Sequence, residues 1–172
     1  MHIGAALGFD AIAGGAMPAI GKVREHLERR FDLLPRYRQK LSAPRTGGLA
    51  WPCWEPDRRF EIGAHVRHAT FPSPGDEREF LDWIPDFYSH RLDRSRPLSE
   101  IVLLDGLAGG RWALVWKTHH CLVDGVGAAG IVDLLLDSEP VPLESSAPHA
   151  PPALASDEVR HGWLPHPPEP IG

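Results

Sequence analysis

The sequence predicts an α/β domain in which a mixed β-sheet is flanked by helices. Three patterns support this prediction: an alternating apolar segment near the first residue, amphipathic helical segments, and two apolar strands joined by a glycine-containing turn. With 172 residues, the chain is long enough for one domain with a hydrophobic core.

The first predicted strand spans residues 3–9, where every second residue is apolar. Pro18 then begins a helical pattern whose apolar residues recur at helical spacing as far as Arg30 or Phe31. The opposite face is basic, which predicts a solvated surface. Its basic residues are Lys22, Arg24, Arg29 and Arg30.

A second strand is predicted at residues 60–66, because Phe60, Ile62, Ala64 and Val66 alternate with polar or small residues. Residues 73–76 form a turn that begins the next helix. We expect Pro85 to kink this helix. Its apolar stripe consists of Phe80, Leu81, Ile84, Phe87, Tyr88 and Leu92.

Two further strands, at residues 101–104 and 112–118, are predicted to form a hairpin. A helix is predicted over 125–137, so the local order is strand, short polar loop, helix. The predicted domain therefore covers residues 1–137. Beyond it, half of the eighteen prolines fall in residues 138–172, which predicts a proline-rich linker or a disordered tail.

The composition excludes several classes of protein. A net charge of −5 argues against a nucleic-acid surface, because phosphate binding relies on clustered Lys and Arg. The sequence has no apolar run long enough to span a membrane and no signal-peptide pattern. The two cysteines, Cys53 and Cys121, predict free thiols in a reducing cytosol, with one disulfide as the alternative. These features together predict a cytoplasmic protein.

One dense cluster of reactive side chains follows the last predicted strand: His119 and His120, then Asp124 and Gly125. A neutral imidazole can accept the proton of an attacking hydroxyl at neutral pH, because its unperturbed pKa is about 6.5. Asp124 is close enough in sequence to brace the loop, and Gly125 allows a close backbone approach or a positive φ. The spacing predicts one general base and one residue that organises the loop.

Three other interpretations of this cluster stay open at this point. The paired histidines could be polar groups that face solvent. Two histidines and Asp124 could bind zinc or iron, although adjacent residues at a strand end point to opposite faces. Cys121 could be a thiol nucleophile paired with a histidine, although it has no independent signature of a cysteine hydrolase.

The motif His-His-x-x-x-Asp-Gly at 119–125 resembles that of the CoA-dependent acyltransferases, which include chloramphenicol acetyltransferase-like enzymes and peptide-synthetase condensation domains. Four segments are more specifically similar to the bacterial wax ester synthase/acyl-CoA:diacylglycerol acyltransferase family. They are Met-His-Ile-Gly-Ala at 1–5, Phe-Glu-Ile-Gly-Ala-His-Val-Arg at 60–67, Leu-Asp-Arg-Ser-Arg-Pro-Leu at 92–98 and Lys-Thr-His-His-Cys-Leu-Val-Asp-Gly-Val-Gly at 117–127.

The resemblance implies that His120 is the general base that takes the proton of the acceptor hydroxyl. The hydroxyl would attack the acyl-CoA thioester directly and release CoA without a covalent acyl-enzyme. His119 would support the base, while Asp124 and its neighbour Gly125 would hold the loop. Asp93 would form a buried ion pair with an arginine of the 92–98 segment, either Arg94 or Arg96.

The implied function is the transfer of a long-chain acyl group from acyl-CoA to a fatty alcohol or diacylglycerol, giving wax ester or triacylglycerol. Acyl-CoA is the co-substrate, and we expect no other cofactor and no metal. The partners would be these lipids, with peripheral contact at the inner membrane or lipid bodies and no nucleic acid. The basic face of the first helix could then touch an anionic lipid or a CoA phosphate.

The resemblance also implies a chain more than twice this length, in which two similar halves enclose the histidine motif in a tunnel. The predicted fold is thus the N-terminal half of a chloramphenicol acetyltransferase-like fold, and Met1 resembles a late start. We expect a missing C-terminal half that another subunit would supply, or a truncated, non-catalytic fragment that binds lipid or a complementary subunit. A condensation-like or small-acyl transferase is a further alternative.

Overall fold

Strands that are distant in sequence form the sheet at the centre of the domain. The computed structural model describes residues 1–11, 17–42, 51–72, 75–122, 132 and 135–136, which all belong to the unit Met1–Leu136. The strands are β1 (His2–Phe9), β2 (Gln39–Leu41), β3 (Trp54–Pro56), β4 (Val66–Thr70), β5 (Ser99–Asp105) and β6 (Trp112–His119). The helices are α1 (Ile20–Phe31), α2 (Ile62–His65) and α3 (Glu77–Ser89), with 3₁₀ turns at Pro35–Arg38, Ala108–Gly110 and His120–Leu122.

The main sheet has four strands in the order β1-β6-β5-β4. β6 pairs antiparallel with β1 on one side and with β5 on the other, whereas β4 runs parallel to β5. The sheet is therefore mixed, and the predicted β5–β6 hairpin is confirmed. The strands β2 and β3 form a separate antiparallel pair.

The two faces of the sheet bury two separate apolar clusters, because successive side chains of a strand point to opposite faces. On one face, Leu114 and Trp116 of β6 pack with the buried residues Leu27 and Phe31 of α1. On the other face, Ala113 and Val115 of β6 pack with Phe87 of α3. Helices thus cover both faces, as the α/β prediction requires.

The first strand, β1, and the first helix, α1, lie where the sequence predicts them. Phe31, which is fully buried, ends the apolar face of α1, so the alternative Arg30 is wrong. The helix begins at Ile20, two residues after Pro18. The prediction of a solvated basic face is wrong for Arg24, because its Nε donates a 2.9 Å hydrogen bond to the Val66 carbonyl oxygen.

The predicted strand at 60–66 is wrong. Residues Ile62–His65 form the helical turn α2, and the strand β4 begins only at Val66. Phe60 and Ile62 still pack against the apolar cluster that contains Leu27 and Phe31, so these positions are apolar contacts without the periodicity of a strand. Alternation over so few residues does not distinguish a strand from a helical turn that leads into one.

Helix α3 begins where the turn at 73–76 predicted it. The Asp76 carboxylate accepts the Glu79 backbone N–H at 2.8 Å, and the Glu79 carboxylate accepts the Asp76 N–H at 3.1 Å, which is a capping box. The helix continues through Pro85 to Ser89. Leu81 was predicted on the buried stripe but is 56% exposed, whereas Trp83 packs against the core.

Most of the predicted helix at 125–137 lies outside the described residues. Where it is described, the Leu136 N–H donates to the Val132 carbonyl oxygen at 2.9 Å, which is the helical pattern. Leu135 is buried, and its carbonyl oxygen lies 2.8 Å from Nε2 of His26 on α1. The predicted tail at 138–172 lies outside the described residues.

Candidate functional site

The histidine pair lies at the end of β6, as predicted. His119 is the last residue of the strand, and His120 is the first residue of the following 3₁₀ turn. The His119 N–H donates to the Leu98 carbonyl oxygen at 3.0 Å, and the His120 N–H donates to the Met1 carbonyl oxygen at 3.1 Å. The backbone of the pair is thus held by the 92–98 segment and by the first residue of the chain.

The His119 ring is held in one tautomer by Cys121. Its Nδ1 accepts the Cys121 backbone N–H at 3.2 Å, so this nitrogen carries no proton and the ring proton lies on Nε2. The Cys121 Sγ lies 3.0 Å from the same Nδ1. Burial raises the pKa of the Cys121 thiol, which therefore keeps its proton and can also donate to Nδ1.

The His119 imidazole is neutral at neutral pH. Burial is the largest cause that lowers the pKa of His119 below its ordinary value, and the positive charge of Arg94 is among the causes that lower it further. The ring of His2, which faces His119 across the β1–β6 pair, meets it edge-on at 6.1 Å. His119 is therefore suited to donate a hydrogen bond from Nε2 and poorly suited to carry a charge.

The His120 side chain is half-buried, and none of the described residues makes a hydrogen bond to its imidazole. The acceptor that should fix its tautomer is therefore not among them. Asp124 and Gly125, which we predicted to hold the loop, lie outside the described residues, so their role stays a prediction. The structure thus brings His119 and His120 to one strand end and leaves the other half of the motif undescribed.

The end of α3 is tied to the same edge of the sheet. His2 Nδ1 donates to the Tyr88 carbonyl oxygen at 2.9 Å, and the Tyr88 hydroxyl donates to the Trp116 carbonyl oxygen at 2.7 Å. The second bond requires the glycine at position 4, because a Cβ there would collide with the Trp116 carbonyl and the Tyr88 hydroxyl. These bonds fix α3 to the two strands that carry His2 and His119.

A buried lysine that was not predicted from the sequence, Lys117, lies two residues before His119. Lys117 Nζ donates to the carbonyl oxygens of Phe87 at 2.9 Å and His90 at 3.2 Å, and it lies 2.9 Å from Glu100 Oε2. Burial is the largest cause that lowers the pKa of this lysine, although its side chain keeps three oxygen partners. The signal in the sequence is a lysine on a buried strand face, opposite a glutamate in the hairpin register.

The predicted buried ion pair of the 92–98 segment is wrong. Asp93 does pair with Arg96, at 3.5 Å, but the two side chains are 60% and 54% exposed. The buried residues of this segment are Pro97 and Leu98, and the Leu98 carbonyl oxygen also accepts the Thr118 hydroxyl at 3.0 Å. The segment supports the site through its backbone, because a surface ion pair contributes little to stability.

His65, at the end of α2, is buried against the start of β5. Its Nδ1 donates to the Ser99 carbonyl oxygen at 2.9 Å, and the Phe60 ring stacks on it at 5.2 Å. Burial is the largest cause that lowers the His65 pKa, followed by the hydrogen bond to Ser99, which raises it, and the charge of Arg96, which lowers it. The folded protein therefore favours the neutral ring.

This burial predicts that the protein loses stability in mild acid. Below about pH 6.5 the unfolded His65 binds a proton that the folded ring resists, so the free energy of unfolding falls as the pH drops through this value. We expect the thermal midpoint of the wild type to fall more between pH 7.5 and pH 5.5 than that of His65→Asn. An equal fall in both proteins would contradict this assignment.

Three further observations concern the cysteines, possible metal ligands and the helices. Both cysteines are free, as expected, so the alternative disulfide is excluded. Among the described residues, no three His, Cys, Asp or Glu side chains lie close enough together to bind a metal ion. None of the described helices is long and apolar enough to cross a membrane.

Known proteins match this chain in sequence. The model of the wax ester synthase/diacylglycerol acyltransferase catalytic domain family matches residues 1–171. A putative diacylglycerol O-acyltransferase of Mycobacterium tuberculosis is 39% identical over 143 residues, which are 83% of this chain and 30% of the relative. A probable diacylglycerol O-acyltransferase of the same organism is 34% identical over 161 residues, which are 94% of this chain and 35% of the relative. The chain thus spans about a third of the length of these curated relatives.

Solved structures match the fold. The wax ester synthase/diacylglycerol acyltransferase from Marinobacter aquaeolei VT8 has a TM-score of 0.63 and 32% identity, over 77% of this chain and 32% of that chain. The first condensation domain of the calcium-dependent antibiotic synthetase has a TM-score of 0.58 and 20% identity, over 78% of this chain and 30% of that chain, which shows the fold alone. The predicted chloramphenicol acetyltransferase-like fold is confirmed. By its sequence match and its fold, the chain belongs to the wax ester synthase/diacylglycerol acyltransferase catalytic domain family.

Proposed function

We propose that this chain carries the acyl-transfer site of an O-acyltransferase. Its substrates are a long-chain acyl-CoA and a fatty alcohol or diacylglycerol, and its products are wax ester or triacylglycerol and free CoA. The family membership and the names of the relatives support the acyltransferase class. The observation that carries the proposal is the position of His119 and His120 at one strand end, with the backbone of both residues held.

His120 is the general base of the proposed reaction. Its imidazole removes the proton from the acceptor hydroxyl while the hydroxyl oxygen attacks the thioester carbonyl carbon. The tetrahedral intermediate then collapses, the carbon–sulfur bond breaks, and the CoA thiolate takes the proton from the imidazolium. The ester bond forms in one displacement, without a covalent acyl-enzyme. No cofactor beyond acyl-CoA enters this scheme.

His119 supports the base as a neutral hydrogen-bond donor in this scheme. Cys121 occupies Nδ1 of His119, so the proton on Nε2 is available for a neighbouring acceptor. A neutral neighbour also leaves His120 free to become an imidazolium without the repulsion of a second positive charge. Asp124 and Gly125 hold the loop that follows, as the resemblance implies.

We place the protein in the cytoplasm, with peripheral contact to the inner membrane or lipid bodies. The proposed acceptors are nearly insoluble in water, so the enzyme must meet them at a lipid surface. Recovery of all the protein in the soluble fraction of cells lysed at low salt would contradict the membrane contact.

The proposed activity is tested by product formation. The purified chain is incubated with palmitoyl-CoA and either hexadecanol or dioleoylglycerol. Mass spectrometry identifies the ester, and a colorimetric thiol assay measures the release of CoA. We expect ester and free CoA in equal amounts, and neither product without an acceptor. Thiol release without ester would indicate a thioesterase, and activity with acetyl-CoA alone would favour the small-acyl alternative. If the chain makes no ester but still binds lipid, the non-catalytic alternative is correct.

A further inference from the structure

A concave site lies near the histidine pair, at the edge of the sheet where β4 begins. It has a volume of about 230 Å³ and is lined by α2, the first residues of β4 and β5, and the segment 91–97. A water molecule occupies about 30 Å³ of liquid, so a tetrahedral anion with several waters fits this space. We call this site the arginine pocket, after the residues that line it: Arg67, Arg91 and Arg96.

The charges of the arginine pocket favour an anion. Two of its arginines are paired with carboxylates of the lining, Arg67 with Glu100 and Arg96 with Asp93. Glu100 also contacts buried Lys117, so one carboxylate lies between two cations. Arg91 is exposed, and none of the described residues forms a hydrogen bond or an ion pair with its guanidinium. The pocket therefore has an excess of positive charge and a free guanidinium at its rim.

A buried hydroxyl is the second observation. Ser99 lines the pocket and is only 4% exposed, and its Oγ has no hydrogen-bond partner among the residues that the structure describes. Buried polar atoms in folded proteins nearly always have a partner, so an unpartnered hydroxyl in the wall of a pocket indicates a polar ligand. His65 shares this wall and is neutral, because burial lowers its pKa.

We propose that the arginine pocket binds a phosphate group, the chemistry that CoA and an anionic lipid headgroup share. Arginine forks match phosphate oxygens in geometry, and their charge is retained at every physiological pH. The pocket adjoins the histidine pair, because Ser99 pairs with Thr118 in the β5–β6 register and Leu98 accepts the His119 N–H. If CoA is the source, the pocket is part of the proposed acyl-transfer site.

The test compares two variants that remove one positive charge each. Arg91→Gln removes the free guanidinium at the rim of the pocket, and Arg78→Gln is the matched control, because Arg78 is exposed in the first turn of α3. Calorimetry measures the binding of CoA and of CoA without its 3′-phosphate to the full chain at low salt. Co-sedimentation measures binding to phosphatidylglycerol vesicles, with phosphatidylcholine vesicles as the neutral comparison.

We expect Arg91→Gln to lower the affinity for CoA or for phosphatidylglycerol vesicles by about three- to tenfold, because one charged hydrogen bond at an exposed site is lost. Arg78→Gln should change binding less than about twofold, since only long-range screened attraction is lost. An effect confined to CoA identifies CoA as the source, and an effect confined to phosphatidylglycerol vesicles identifies the lipid headgroup. Equal effects of the two variants on both ligands, or no effect of either, would overturn the proposal.

Binding in these assays needs no turnover, so the results can contradict the proposed phosphate site without contradicting the proposed activity, and the reverse. A chain that makes no ester can still show the Arg91 dependence. Conversely, the wild type and Arg91→Gln can make ester with the same KM for palmitoyl-CoA and bind vesicles equally. That result would show the acyltransferase activity without a phosphate site in the arginine pocket.

Discussion

Replacement of His120 by alanine is expected to lower the rate of ester formation by about a hundredfold to ten-thousandfold, the usual contribution of a positioned general base. The acceptor hydroxyl would then have to transfer its proton to water while it attacks the thioester. The KM for acyl-CoA should change little, because the imidazole acts on the acceptor hydroxyl in the transition state. Initial rates with palmitoyl-CoA and hexadecanol measure both effects.

His119→Ala is the matched control, since it removes a neighbouring imidazole from the same strand end. We expect a smaller loss of about tenfold, because a supporting hydrogen bond contributes roughly 1–1.5 kcal/mol. Its loss also frees the Cys121 N–H that Nδ1 accepts. If His119→Ala reduces the rate as much as His120→Ala or more, the assignment of the base to His120 is wrong.

Folding has to be checked in both variants before the rates are compared. The His120 ring is half-buried and none of the described residues bonds to it, so His120→Ala should keep the thermal midpoint of the wild type within a few degrees. A folded protein with a lost rate assigns the effect to chemistry. A midpoint that falls in parallel with the rate would instead assign His120 a structural role.

The strands and helices with strong patterns could be predicted from the sequence. The strand β1 and the β5–β6 hairpin were predictable because alternate side chains of these strands pack into one of the two apolar clusters. The 60–66 segment could not, because its apolar spacing fits both a strand and the turn α2 that precedes β4. The choice between a strand and a helical turn depends on the parallel pairing of β4 with β5. The paired residues are more than thirty positions apart in the sequence.

The candidate site shows the same limit. The sequence placed His119 and His120 at a strand end because the apolar alternation stops there. The Cys121 contact to His119 and the buried partners of Lys117 depend on side-chain directions that only the folded strand provides. The prediction left Arg94 and Arg96 open as partners of Asp93, and the structure pairs Asp93 with Arg96 at the surface, since spacing carries no information about exposure.

Replacement of Lys117 by methionine is expected to lower the free energy of unfolding by about 3–5 kcal/mol, as for other buried ion pairs that lose one partner. Methionine has a similar length, so the hydrophobic volume is kept and the loss reports the ammonium group. Two carbonyl oxygens at the end of α3 lose their donor, and Glu100, only 17% exposed, keeps Arg67 alone. Urea unfolding followed by tryptophan fluorescence measures the change.

Lys22→Met makes the same substitution at an exposed ion pair and is the control. Lys22 lies 3.7 Å from Glu25 on the outer face of α1, and both side chains are more than half exposed, so we expect a change of less than about 1 kcal/mol. The double variant Lys117→Met/Glu100→Gln should recover part of the stability, because it also removes the mostly buried carboxylate that lost its ammonium partner, and Arg67, which is 59% exposed, can be solvated by water. Equal losses in Lys117→Met and Lys22→Met would show that the buried contacts contribute nothing beyond a surface pair.

Lys117→Met also tests what positions the end of β6, where the two histidines lie. Lys117 joins β6 to the last turn of α3, and Tyr88 in that turn bonds to both β1 and β6 near the histidines. A looser contact should therefore lower the rate of ester formation at temperatures where the variant is still folded. Because Lys117 touches the protein backbone and Glu100, we expect the rate constant to fall while its pH dependence stays that of the wild type. A changed pH profile would mean that the ammonium group acts on the base itself.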